Sequence, residues 1–416
     1  MKLLKLKFNG ILNWSQKYTR TDMKYITKGS FWITGGTAIL AIISIITMIA
    51  FANLLSVQSY GIYQFVISTA GVLSIFALPS IGTALVQAIA SGKTGIFNLV
   101  VKSKIKWSLI GSVVILGISG WYFLNDNHIL AIAFIIAGLT FPLRHGLVSF
   151  ENYWHGKKRF DRKALFVVLS AIGAGATTIL ALFLTDNILI IILAFFVGHI
   201  FFDGIFFFYT KLKIKEVDNP VGAKETFFYG FNLTLMQSIE TVSSHIDKII
   251  IWKFLGPVQV AIYSFAQLPI NKLRGLFPVS TLALPKFSEN GVAWRKNVIL
   301  YKTAILFAIT IPIAVILILL APFLYQLVFP QYIEAVPYFQ VLAITITFLP
   351  ITLIETGLVA EKAQKYLYII KISSPTIKII LFLILGFFYG IWGIIFSIII
   401  SEIIRGVMLA YFFLKL

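Results

Sequence analysis

The stretch Ser244–Gly256, SHIDKIIIWKFLG, sets His245, Asp247, Lys248 and Lys253 among isoleucines, a tryptophan, a phenylalanine and a leucine. Charges of both signs in an apolar run have three chemical uses: holding a counter-charge, relaying an ion or proton, or neutralising one another. Traced back along an α-helix at 100° per residue, Thr234, Gln237, Glu240, Thr241, Ser244, His245, Asp247 and Lys248 share an arc of roughly 160°. Leu235, Ile239, Val242, Ile246, Ile249 and Ile250 lie opposite. No carboxylate stands three or four residues from Lys248 to neutralise it along the helix. An ionised side chain at a bilayer centre costs ~2.5–3.5 kcal/mol on insertion scales. Such a stripe is expected to face other helices or internal water, lining a cavity.

Further charges recur inside apolar runs: Arg144, Lys272, Arg274, Lys371, Lys378 and Arg405, with the carboxylates Asp203, Glu240, Asp247, Glu355 and Glu402. Glu402 and Arg405, three apart, are spaced to neutralise each other. Lys371 stands near a span end, where its stem lets the ammonium reach the interface. Arg144, Lys248, Lys272, Arg274 and Lys378 are then the expected cations of a water-filled cavity. Their sign suits an anionic substrate, one carrying phosphates for instance. Asp247 and Glu240 are the candidates for ion or proton coupling; pairing with Lys248 or Arg274 explains them equally well.

Other chemistry has little support. The chain has no cysteine, and its histidines, 128, 145, 155, 199 and 245, show no HxxxH or HExxH spacing. No metal site or cofactor is expected. Walker A, dinucleotide-binding and nucleophile-elbow motifs are absent, and the loops are too short for a catalytic domain, so neither an enzyme nor a self-powered ATPase is expected.

The elements that must carry these charges follow from composition. The 416 residues are 59% hydrophobic and 12% charged, and the mean hydropathy is +0.92. That leaves too little polar surface for a soluble domain of this size. Apolar runs of bilayer length recur throughout without the alternation of barrel strands. The expected fold is an all-α polytopic membrane protein of about 12 transmembrane helices, with cores near 31–53, 62–90, 107–124, 128–150, 164–184, 188–210, 227–253, 258–285, 299–324, 336–360, 366–388 and 391–414. Basic residues gather in the N-terminal segment and the loops at 91–106, 151–163, 211–226, 286–298 and 361–365, while the intervening loops have none. This alternation places both termini in the cytoplasm. It also accounts for the net charge of +19 without nucleic acid. The first 28 residues have no signal-peptide pattern and suit a helix lying on an anionic leaflet.

LSVQSYGIYQF from Leu55 and LGPVQVAIYSF from Leu255 form a repeat at an offset of 200, aligning Leu55/Leu255, Ile62/Ile262, Tyr63/Tyr263 and Phe65/Phe265. Each copy falls between the first and second span of a six-span half, the pattern of parallel repeats in transporters. The expected organisation is a basic segment at 1–28, a six-helix bundle at 29–210, a cytoplasmic linker at 211–226 and a second six-helix bundle at 227–416. Pro79, Pro142, Pro269, Pro278, Pro312, Pro322, Pro350 and Pro375 fall in or beside spans, where they bend helices.

The stretches YGIYQFVISTAGVLSIFALPSIGTALVQ, IDKIIIWKFLGPVQVAIYSFAQLP and ALPKFSE resemble the polysaccharide-biosynthesis flippases of the Wzx type, in the exporter superfamily that includes the multidrug extruders. Ala261 replaces the glycine often found before Ile-Tyr. The lipid II flippases of that superfamily usually carry two further spans. The resemblance implies movement of a polyprenyl-diphosphate-linked oligosaccharide from the cytoplasmic to the outer leaflet, for O-antigen, capsule or similar surface polysaccharide. It also implies a multi-pass protein of the cytoplasmic membrane, working beside a polymerase or glycosyltransferases. The alternative is a cation-coupled multidrug extruder on the same scaffold, which is expected to present an acidic and aromatic cavity. Here the intramembrane surplus is basic.

Overall fold

Short polar signals start the helices. Ser56 accepts the Ser59 amide at 3.2 Å, Asn127 the Leu130 amide at 3.1 Å, and Asn187 the Leu189 amide at 2.9 Å. Each satisfies an amide that a helix start leaves unpaired. The computed structural model describes residues 23–214, 222–275, 292–361 and 363–415. Their helices are α1 (Met23–Leu54), α2 (Val57–Leu73), α3 (Ile81–Ala90), α4 (Ile96–Leu124), α5 (His128–Leu147), α6 (Phe150–Gly156), α7 (Phe160–Leu184), α8 (Ile188–Lys211), α9 (Ala223–Ser243), α10 (Ile246–Leu255), α11 (Pro257–Gly275), α12 (Val292–Val328), α13 (Val336–Ala343), α14 (Ile351–Ala360) and α15 (Gln364–Lys415). Three short 3-10 turns join some of them, and there is no strand among the described residues.

Nine helical segments among the described residues are long and apolar enough to cross a membrane. The chain is a multi-pass membrane protein. The expected seventh and eighth spans, α9–α10 and α11, are not among the nine because they carry the polar stripe and its partners. The last of the nine, α15, reverses at Gly390 (φ 57°, ψ −133°). Tyr366 stacks on Phe412 and Ser373 touches Met408, so its two halves run back along each other.

Several boundaries differ from the sequence reading. The expected loop at 91–106 becomes helix from Ile96, with Phe97, Val100, Val101 and Lys104 on the buried face of α4. The loop at 151–163 holds α6 and the start of α7, leaving a turn at 157–159. The second span breaks at Leu78 (φ 51°), just before Pro79, whose ring prevents helical geometry in the preceding residue. The seventh breaks at Ser244–His245, so the polar stripe is divided between α9 and α10. Of the linker at 211–226, α8 runs through Lys211 and α9 begins at Ala223. ALPKFSE, Pro278 and residues 1–22 lie outside the described residues.

The repeat-equivalent helices α2 and α11 meet face to face. A side chain at Gly61 would place its Cβ 1.9 Å from the Pro257 carbonyl oxygen, so only glycine permits this approach. Around the contact lie Tyr60, Tyr63, Phe65, Trp252, Phe265 and Tyr332, with Phe65 stacked on Trp252 at 4.2 Å and Phe265 on Tyr332 at 3.7 Å. This aromatic seam lies toward the end of the bundle opposite the basic loops. Toward the basic end, α3 packs on α9, and Ser80 donates to Gln237 Oε1 at 2.6 Å.

Candidate functional site

The charged residues expected inside the spans fall in three cavities or two hydrogen-bonded clusters. One cavity, of about 350 Å³, lies between α1, α2, α7, α8 and α11. Its wall includes Ser44, Thr47, Tyr60, Tyr63, Gln64, Phe195, His199 and Lys272, and it has no carboxylate. Lys272 comes from α11 while the other polar groups come from α1, α2, α7 and α8, so the cavity straddles the α2–α11 seam. No ion pair to Lys272 exists among the described residues.

A second cavity of about 270 Å³ lies within α5–α8, lined by Arg144, His145, Glu151, Ser170, His199 and Asp203 among others. The Arg144 guanidinium sits 5.2 Å from the Phe195 ring centre, a cation–π arrangement, and Ser170 donates a hydrogen bond to Asp203. His199 lines both cavities, so the two adjoin.

The third, about 280 Å³, is lined by Glu240, Ser243, Ser244, Glu355, Lys371, Ser374, Lys378, Ser401, Glu402 and Arg405. It is the most mixed in charge. Arg405 bridges Glu355 and Glu402, the latter at 3.3 Å, so the three-residue spacing does produce an ion pair. Lys378 extends over Phe382 at 5.2 Å.

Arg274 is committed elsewhere. It pairs with Glu402 at 3.2 Å and donates to the Thr345 carbonyl oxygen. Asp247, only 2% exposed, accepts from the Lys248 amide at 2.8 Å, the Tyr263 hydroxyl at 2.7 Å and Gln267 at 3.1 Å. Lys248 Nζ reaches Gln267 Oε1 at 3.3 Å. This cluster ties α10 to α11 across the turn between them.

The five cations expected to line one cavity are therefore distributed. Arg144, Lys272 and Lys378 each reach a cavity, whereas Arg274 and Lys248 are held in polar clusters. Glu240 reaches the third cavity and Asp247 does not. Lys371, read as an interfacial lysine, joins Lys378 on the wall; their seven-residue spacing was the available signal. Lys104 and Glu151 were assigned to loops, yet Lys104 is 4% exposed within α4. Its place at helical spacing from the apolar Phe97, Val100 and Val101 was the signal for that burial. Among the described residues no group of three or more His, Asp or Glu is arranged to hold a metal ion.

The sequence model of the family described as "Polysaccharide biosynthesis protein" matches residues 26–291. No curated protein matches the chain. Among solved structures, the fold is similar to that of a lipid II flippase, MurJ, in an inward closed conformation. The identity is 18% and the TM-score 0.70, over 90% of this chain and 86% of that one. It is also similar to a MOP superfamily transporter from Pyrococcus furiosus (14% identity, TM-score 0.60, 94% and 95% covered). A multidrug resistance MATE family transporter in an inward-facing conformation matches comparably (14%, 0.60, 93% and 94%). At these identities the likeness is one of fold, and the fold is that of MOP superfamily transporters.

Proposed function

Because the chain belongs to the polysaccharide biosynthesis protein family, we propose that it is a flippase for a polyprenyl-diphosphate-linked oligosaccharide, moving the headgroup from the cytoplasmic to the outer leaflet by alternating access. The observation that carries this reading is the cavity at the seam of the two halves: hydroxyls, aromatic rings and Lys272, with no carboxylate on its wall. Sugars and a diphosphate cannot cross hydrocarbon unaided, because every hydroxyl and phosphate oxygen loses its water. A seam with one lysine, several hydroxyls and ring faces replaces that water with donors, a positive charge and flat apolar surfaces for sugar rings. An extruder of cationic drugs needs the opposite sign there.

In this reading Lys272, Arg144 and Lys378 meet the diphosphate or acidic sugars as the headgroup moves. Arg274 and Lys248 position the walls. Glu240, whose carboxylate has no hydrogen bond or ion pair among the described residues, is the better placed coupling carboxylate; Asp247 has its oxygens occupied. The chain crosses the cytoplasmic membrane twelve times, in six-helix bundles at 29–210 and 227–416, with both termini inside. It works beside the polymerase or glycosyltransferases that use its cargo.

The test is to delete the gene and locate labelled polyprenyl-diphosphate sugar. Accumulation on the cytoplasmic leaflet, with surface polysaccharide lost and synthesis enzymes active, supports the flippase. Intact surface polysaccharide together with new sensitivity to cationic toxins supports the extruder instead.

A further inference from the structure

The aromatic seam contains two polar atoms that its packing leaves unsatisfied. Tyr332 is fully buried, its ring stacked on Phe265, and its hydroxyl has no hydrogen-bond partner among the described residues. Ser264 is likewise fully buried with an unpaired hydroxyl, one residue from Phe265. Three neighbouring hydroxyls are engaged: Tyr325 donates to the Phe265 carbonyl, Tyr263 to Asp247, and Tyr60 accepts from Gln64. Buried polar groups are nearly always paired, so two orphans in one seam call for an explanation.

Their position supplies one. Tyr60 lines the seam cavity and also touches Phe265 at 4.7 Å and Tyr332 at 6.2 Å. The rings thus form the wall between the cavity and the end of the bundle opposite the basic loops. Tyr60 belongs to one half, Phe265 and Tyr332 to the other. Separation of the halves at this end exposes ring faces and both free hydroxyls together. Flat rings beside unpaired hydroxyls are what a sugar requires: C–H faces to stack and hydroxyls to hydrogen-bond.

We propose that Tyr332 and Ser264, with the faces of Tyr60 and Phe265, form a carbohydrate subsite that is sealed in this conformation and is used as the headgroup leaves toward the opposite end. The proposal rests on the flippase reading and adds to it an exit-side site for the sugar portion, distinct from the cations that meet the diphosphate. The orphaned hydroxyls disfavour the closed seam, and the sugar gives them their partners when it opens.

Two variants test it in cells exporting their own surface polysaccharide. Tyr332→Phe removes only the orphan hydroxyl. Export is expected to slow about tenfold, the worth of one hydrogen bond, while the melting temperature of the purified protein stays level or rises. Unchanged export, or a lowered melting temperature, overturns the proposal. Ser264→Cys creates a single thiol in a chain that has none. It is expected to react with a membrane-impermeant maleimide outside exporting cells; no reaction in cells that still export overturns the exit subsite and leaves the flippase reading intact. Intact surface polysaccharide in the gene deletion overturns the flippase reading, and this proposal with it.

Discussion

Asp247 and Lys248 are chain neighbours inside the polar stripe, and both are held by side chains of α11. Tyr263 and Gln267, four residues apart, both reach Asp247, and Gln267 also reaches Lys248. Losing the Tyr263 hydroxyl leaves a buried carboxylate one donor short. Tyr263→Phe is expected to lower stability by about 1–3 kcal/mol, read as a fall in melting temperature in detergent. Lys272 and Arg274 make a sharper contrast, two residues apart on α11. Arg274 is paired with Glu402, whereas Lys272 faces the seam cavity without an ion pair among the described residues. Arg274→Gln is expected to destabilise the protein by about 1–3 kcal/mol. Lys272→Gln is expected to leave the melting temperature unchanged and to abolish export. Equal melting temperatures and equal export for the two variants would remove the distinction between a wall charge and a substrate charge.

At the scale of the element, the broken spans matter most. The breaks at Leu78–Pro79 and Ser244–His245 interrupt two spans, α2–α3 and α9–α10, that pack on each other beside the seam. His245, at the second break, packs on Gly71 of α2, where a Cβ would come within 2.8 Å of the imidazole. Gly61 makes the tighter contact, against the Pro257 carbonyl. Gly61→Ala is expected to push α2 off α11, with a lower melting temperature and greater maleimide access to Ser264→Cys. By contrast α4 and α5 are tied by Ser112 to the Gly138 carbonyl at 2.6 Å and Ser119 to the Ala131 carbonyl at 2.7 Å. That pair is built to move as one body.

For the whole molecule, the helices touch at both ends of the seam in this conformation, through aromatic rings at one end and through α3 and α9 at the basic end. In the proposed alternating access these contacts break in turn. Ser80 and Gln237 hydrogen-bond across the basic end, and the chain has no other cysteines to interfere. In Ser80→Cys/Gln237→Cys, oxidation is expected to stop export and reduction to restore it, measured as incorporation of labelled sugar into surface polysaccharide. Full export by the oxidised, cross-linked protein would show that the basic end need not open.

Much of this was legible in the residues themselves. Hydropathy runs and the distribution of basic loops located the helices because a bilayer demands long apolar segments whatever their neighbours. The 200-residue repeat pointed to α2 and α11, which pack together, and its Tyr63/Tyr263 and Phe65/Phe265 pairs are all buried in one core. Glu402 and Arg405 were readable as a pair because three residues is a neighbour distance on a helix. Partners distant in sequence were not readable. Arg274 finds Glu402 128 residues away, and Arg405 finds Glu355 across 50. Periodicity places a side chain on a face of its own helix but is silent about which helix that face meets. Only the tertiary packing decided that three of the five cations reach cavities while two are already bound, because pairing depends on distances between helices that no local pattern encodes.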